Sequence, residues 1–146
     1  MTLKERIAHA RQVVGRDPLA SLLGIRVDDV AKARAVVSLE PGPQHLNARG
    51  RVHGTTLYAL VEQAVAVAAN TLEGEVVVFE TKANFLAGAV AGARLTASAQ
   101  PVDIRRKLSL WEVRVKAPDG TLVALAQAMV YHLGPGDAPK AQPKAK

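Results

Sequence analysis

The stretch GTTLYALVEQAVAVAAN, residues 54–70, decides how this chain folds. Gly54 and the hydroxyls of Thr55 and Thr56 fit a helix start, and Asn70 fits its end. Apart from Glu62 and Gln63, the body between is apolar all round. A helix with no polar stripe is a buried helix. The flanking segments supply its cover. Between Ile25 and Leu39, Ala33, Ala35 and Val37 alternate with Arg34 and Ser38, which suits one or two strands ended by Pro41-Gly42-Pro43. Four further strands are predicted over residues 76–86, 93–102, 107–117 and 121–133. Pro118-Asp119-Gly120 joins the last two as a hairpin. Trp111, Val113 and Val115 alternate with Glu112, Arg114 and Lys116, so that strand shows one face to a core and the other to water. The final strand is apolar on both faces, with Val123, Leu125 and Met129 against Leu122, Ala124 and Val130. In a chain this short, double cover predicts a second subunit. The pattern predicts an α+β domain, an antiparallel sheet wrapped around one long central helix.

Outward from this domain, assigned to residues 25–133, lie two smaller segments. Residues 1–24 are predicted helical. Leu3, Ile7, Ala10 and Val14 fall at helical spacing behind Thr2 as N-cap, with Gly15 as the stop and a short helix from Asp17-Pro18 to Gly24. Residues 134–146, GPGDAPKAQPKAK, have no apolar periodicity and are predicted to be a disordered tail.

Composition limits the function classes. The 146 residues suit one domain with a substantial core. Cysteine is absent, which removes disulfides, thiolate zinc sites and cysteine nucleophiles. No apolar run is long enough to span a membrane, and MTLKERIAHARQ carries charges where a signal peptide needs an apolar core, so a cytoplasmic protein is expected. The net charge of +6 invites a polyanion. Two of those units come from Lys140, Lys144 and Lys146 against Asp137 in the tail, leaving +4 on the body. The five aromatics, Tyr58, Phe79, Phe85, Trp111 and Tyr131, are thin material for a base-stacking platform. Neither nucleic acid nor membrane is the expected partner.

Glu62 is the informative residue. An ionised carboxylate inside an apolar helix costs several kcal/mol unless partnered or neutralised, and such groups are kept mainly for function or a buried ion pair. The plainer alternative is that Glu62 and Gln63 emerge together on a narrow solvent strip. His45-Leu46-Asn47-Ala48-Arg49-Gly50-Arg51-Val52-His53-Gly54 leads into the helix. The free N–H groups at Gly54, Thr55 and Thr56 carry the partial positive charge of a helix start, which can hold an oxyanion. Taken singly, His45 and His53 read more readily as ordinary loop residues.

On these residues the chain resembles the acyl-CoA thioesterases of the hotdog fold, in their phenylacetate-pathway (PaaI-type) branch. The resemblance runs from about Leu22 to Leu133 and is most specific over residues 45–70. Asn47, Gly50, His53, Gly54 and Glu62 stand at the family's motif positions, and Asn84-Phe85-Leu86 with Gly88 and Gly92 match a later strand segment. The resemblance implies that the Gly54 N–H polarises the thioester carbonyl while His53 shapes the turn. It also implies that Asn47 orients water or substrate and that Glu62 is nucleophile or general base, with Gly50 and Thr55 beside the substrate. The implied reaction needs no metal and no redox cofactor; coenzyme A is part of the substrate. The chain departs from the pattern at Thr55, where a second glycine is usual, and at Ala66, where a Ser or Thr often holds the attacking water. It departs again at Ala87-Gly88, in place of Arg-Pro.

Helix geometry adds a constraint independent of the family. Glu62 lies eight residues beyond Gly54, about 12 Å along the axis. One carbonyl carbon cannot sit within the roughly 3 Å of both that reaction requires. If both act on one thioester, they come from different protomers, and a homodimer or homotetramer is expected. Arg105-Arg106-Lys107 occupies a turn between strands, and the resemblance assigns it to the CoA phosphates, while a solvated basic turn is the alternative. A hydratase or dehydratase acting on acyl thioesters and a non-catalytic acyl-CoA-binding module are the rival functions.

Overall fold

The computed structural model describes residues 1–134 and 137; the tail predicted from Gly134 otherwise lies outside the described residues. Helices α1 (Leu3–Gln12) and α2 (Pro18–Leu23) precede strands β1 (Arg26–Ala31) and β2 (Arg34–Leu39). The long helix α3 (Gly54–Ala69) follows, then β3 (Glu75–Phe85), β4 (Leu95–Ile104), β5 (Leu108–Lys116) and β6 (Leu122–Leu133). The strands form a single antiparallel sheet in the order β1-β2-β4-β5-β6-β3.

The local signals account for the element ends. Thr2 and Glu5 close a reciprocal capping box at α1. Asp17 caps α2 with Pro18 at its first position, and Gly24 ends it in the left-handed region (φ 77°). α1 stops at Gln12, short of the predicted Gly15. Gly15 serves packing instead: a Cβ there would lie 2.3 Å from Val27 Cγ2. β4 ends two residues beyond its predicted limit, because a bulge between Pro101 and Asp103 lengthens the ladder to β5.

α3 packs against one face of the sheet, burying Leu60, Val61 and Val65 in a core that includes Val37, Leu39, Leu95, Trp111, Val113 and Val115. Each such side chain contributes about 1.5–3 kcal/mol on leaving water. Alanines at 64, 68 and 69 of the helix and at 97, 99, 126 and 128 of the sheet let helix and strands approach closely.

Two expectations change here. The helix is not covered on every side. Thr55, Tyr58, Ala59, Glu62 and Ala66 recur at three- and four-residue spacing as a stripe that is exposed or half-buried. Gln63 does not share it: it is buried, and its Nε2 donates to the Val14 carbonyl at 2.7 Å. The apolar surface in want of cover also lies elsewhere than expected. β6 is an interior strand between β5 and β3, and its outward face is diluted by exposed Gln127 beside Lys82 and Glu112. β3 is the edge strand. None of its residues is fully buried, and it exposes Val77, Phe79 and Phe85 at 43%, 54% and 52%.

Candidate active site

The segment from His45 to Gly54 is organised by its own side chains. His45 is buried, with Nδ1 accepting from the Gly42 N–H at 2.9 Å and Nε2 donating to the Leu23 carbonyl at 2.7 Å. It is therefore a buried structural residue rather than the ordinary loop residue expected. Asn47 Oδ1 accepts from the N–H groups of Arg49 and Arg51, and Gly50 takes a left-handed φ of 73° in the turn between them. Its oxygen is committed to the loop, so only its amide N–H groups are available to water or substrate.

The helix start differs in detail from expectation. His53, not a threonine hydroxyl, is the N-cap of α3, and its Nδ1 accepts from the Thr55 N–H at 2.9 Å. The Thr56 N–H donates to the His53 carbonyl at 2.9 Å, and its hydroxyl donates to the His45 carbonyl. Of the three N–H groups at this helix start, only that of Gly54 has no acceptor among the described residues. The Phe85 ring rests over Gly54, where a Cβ would lie 2.9 Å from Cε2. A side chain at 54 would therefore push this half-exposed ring aside.

Glu62 sits half-buried on the open stripe. Thr81 Oγ1, on β3, donates to its Oε2 at 3.1 Å, and Tyr58 OH donates to the Thr81 carbonyl. Burial pushes the Glu62 carboxyl above the usual range, and the Thr81 hydrogen bond opposes that only in part. Thr81 escaped the sequence reading, for which the only signal was the missing hydroxyl at Ala66. The sheet brings a hydroxyl to Glu62 from the neighbouring strand instead.

Gly54 and Glu62 occupy one helix and stay about two turns apart, as the spacing requires. Arg105-Arg106-Lys107 lies beyond the far end of the sheet from Gly54. Leu108 pairs with Tyr131 there, whereas Phe85 pairs with Ala124 at the Gly54 end. Arg105 pairs with Asp103 at 2.7 Å, and Lys107 contacts Asp137 at 2.9 Å and the Tyr131 hydroxyl at 3.1 Å. Arg106 has no partner among the described residues. A cavity of about 800 Å³ also opens at that end, beside Arg6, His9, Asn70 and Glu75, and touches neither Gly54 nor Glu62. No helix among the described residues is long and apolar enough to cross a membrane.

An antiparallel sheet around one long central helix is the hotdog fold, and the proteins this chain resembles make it a thioester hydrolase. The chain belongs to the thioesterase superfamily, whose family model matches residues 49–124. Its resemblance to the PaaI-type branch holds. It is 27% identical over 126 residues to the acyl-coenzyme A thioesterase PaaI of Escherichia coli K12, covering 86% of this chain and 90% of that protein. The solved structure of E. coli PaaI, from the phenylacetic acid degradation operon, superposes with a TM-score of 0.85, covering 91% of this chain and 97% of the other. A point mutant of the phenylacetic acid degradation protein PaaI from Thermus thermophilus is 37% identical with a TM-score of 0.77, over 80% of this chain and 100% of that one. The 1,4-dihydroxy-2-naphthoyl-CoA hydrolase of Listeria monocytogenes is 30% identical over 115 residues, 77% of this chain and 93% of that protein.

Proposed function

We propose that two copies of this chain together hydrolyse an aromatic acyl-CoA to the free acid and CoA. The observation that carries this reading is the pair Gly54 and Glu62: a helix-start N–H without an acceptor and a desolvated carboxylate held by Thr81. Glu62 attacks the thioester carbonyl or takes a proton from the water that does, and Oε1, which Thr81 leaves free, faces that reactant. The oxyanion forms against the Gly54 N–H of the other copy. On the general-base route, collapse breaks the carbon–sulfur bond and Glu62 returns the proton taken from water to the CoA sulfur. On the nucleophilic route, collapse expels the CoA thiolate, which takes a proton from solvent. It leaves an acyl anhydride on Glu62 that water then hydrolyses to the free acid, restoring the carboxylate. The remaining roles fall to Asn47, through its amide N–H groups, to His53, which holds the turn, and to Arg105, Arg106 and Lys107, which meet the CoA phosphates. Protein groups and water suffice for these steps.

β3 supplies the means of pairing. As an edge strand it presents unpaired backbone N–H and carbonyl groups together with Val77, Phe79 and Phe85. A two-fold, β3-to-β3 antiparallel contact covers them and runs the partner's α3 opposite to this one, so its Gly54 approaches Glu62. Phe79→Lys is expected to convert a dimer to monomer in sedimentation analysis and to remove turnover with it. A fully active monomer would refute the pairing.

Phe85 over Gly54 and Tyr58 on the same stripe give the acyl group aromatic neighbours. A thiol-release screen is expected to rank phenylacetyl-CoA and larger aromatic thioesters above octanoyl-CoA. The reverse ranking counts against the aromatic assignment, and tight binding without thiol release counts against hydrolysis. Thr81→Val tests the carboxylate's support. The hydroxyl stabilises the charged form, so its loss raises the Glu62 pKa further and moves the acid limb of the kcat/KM profile to higher pH. A limb that stays in place, or moves down, removes Thr81 from the site.

A further inference from the structure

We infer that a pocket of about 350 Å³ formed by Arg6, Lys32, Arg105 and His132, which shares Arg105 with the turn assigned to the CoA phosphates, binds a phosphomonoester. Four elements far apart in sequence converge there: α1, the β1–β2 turn, the β4–β5 turn and the end of β6. Arg6 is the fixed member. Its side chain is only 12% exposed, with Nε donating to the Thr71 carbonyl at 3.0 Å and Nη1 to the Met1 carbonyl at 2.7 Å. Its Nη2 has only a loose 3.8 Å contact with Glu73, a carboxylate 88% exposed and free to swing aside. A guanidinium held by backbone carbonyls with one corner open is suited to a phosphate oxygen.

The hydrogen bonds behind His132 set its role. Trp111 Nε1, which can only donate, gives its proton to Ser109 Oγ at 2.7 Å. Ser109 is buried, and its hydroxyl lies 2.8 Å from His132 Nε2. The buried hydroxyl has no other acceptor for its proton among the described residues, which assigns that proton to Nε2 and leaves the ring's own proton on Nδ1. Burial lowers the His132 pKa, in keeping with a neutral ring. Three cations stand against the lining carboxylate Glu73 and against Asp103, which pairs with Arg105 at 2.7 Å, and the net positive charge that remains favours a phosphate. The site stands on its own geometry; only the arrival of its phosphate on a CoA substrate rests on the proposed hydrolysis.

The test titrates inorganic phosphate into the full chain. The single tryptophan gives one indole N–H signal, two hydrogen bonds from His132, as an NMR reporter. A saturable shift of that signal and of the His132 ring nitrogens is expected. In the double variant Lys32→Gln, Arg105→Gln, both at exposed positions, the apparent Kd should rise at least about tenfold. No saturable shift, or an unchanged Kd in a folded double variant, overturns the site. Comparison of CoA with dephospho-CoA identifies the source. A preference for CoA that disappears in the double variant places the phosphate on substrate, whereas equal binding of the two assigns the site to a free anion. Glu62→Gln should leave phosphate binding intact, so failure of hydrolysis and failure of this site are separable.

Discussion

Gly54→Pro is expected to leave the chain folded and to lower kcat by about 10²–10³-fold, the usual effect of losing one oxyanion donor. Gly54 is the first residue of α3, where the N–H has no intrahelical acceptor and proline is well tolerated. His53 before it is already extended (φ −64°, ψ 139°), as a residue preceding proline must be. The substitution therefore deletes the N–H with little cost to the helix. Its one steric demand is on Phe85, whose ring is half-exposed and can turn aside. Gly54→Ala is the control, since it adds the same Cβ and keeps the N–H. If the two variants retain kcat values within about threefold of each other, the N–H is not the oxyanion donor.

Glu62→Gln should cut kcat by at least about a hundredfold, the contribution of a positioned base or more. The amide oxygen can still accept from Thr81, so the side chain keeps its place while losing its basicity. Stability should move the other way. Burial raises the carboxyl pKa in the folded chain above its unfolded value, so stability is greatest below that window and falls as pH climbs through it. Glutamine abolishes this slope, and at neutral pH the variant's Tm should equal or exceed the wild type's. Lost activity with a lowered Tm would point to a structural role, and kcat within about threefold of wild type would remove Glu62 from the mechanism.

What was legible in the sequence follows from the range of the forces involved. The apolar run over α3, the capping residues and the Pro118-Asp119-Gly120 turn act within a few residues, and the elements they predict stand close to where they were placed. Glu62 and Gly54 were legible for the same reason, one as a misfit in an apolar helix and the other as its first residue. Thr81 was not, because its bond to Glu62 depends on β3 lying beside α3, which no local pattern states. The cluster of Arg6, Lys32, Arg105 and His132 was hidden still further, since four separate elements must meet before its charges add. His53 was read as a residue that shapes the turn, and its part as the N-cap appeared only with the orientation of its ring. The stripe along α3 shows how pattern and packing interact. Alanines at 59 and 66 read as core, yet they face the gap beside the edge strand where a second copy is expected.

The two-protomer site is the central claim, and mixing two inactive variants tests it most directly. Glu62→Gln and Gly54→Pro chains, unfolded together and refolded at equal concentration, form mixed dimers in which one of the two composite sites has both Glu62 and Gly54 intact. Random pairing makes half of the dimers mixed, so about a quarter of wild-type turnover should return. Activity no higher than that of the two variants refolded separately, in a sample shown to contain mixed dimers, would contradict a site shared between subunits.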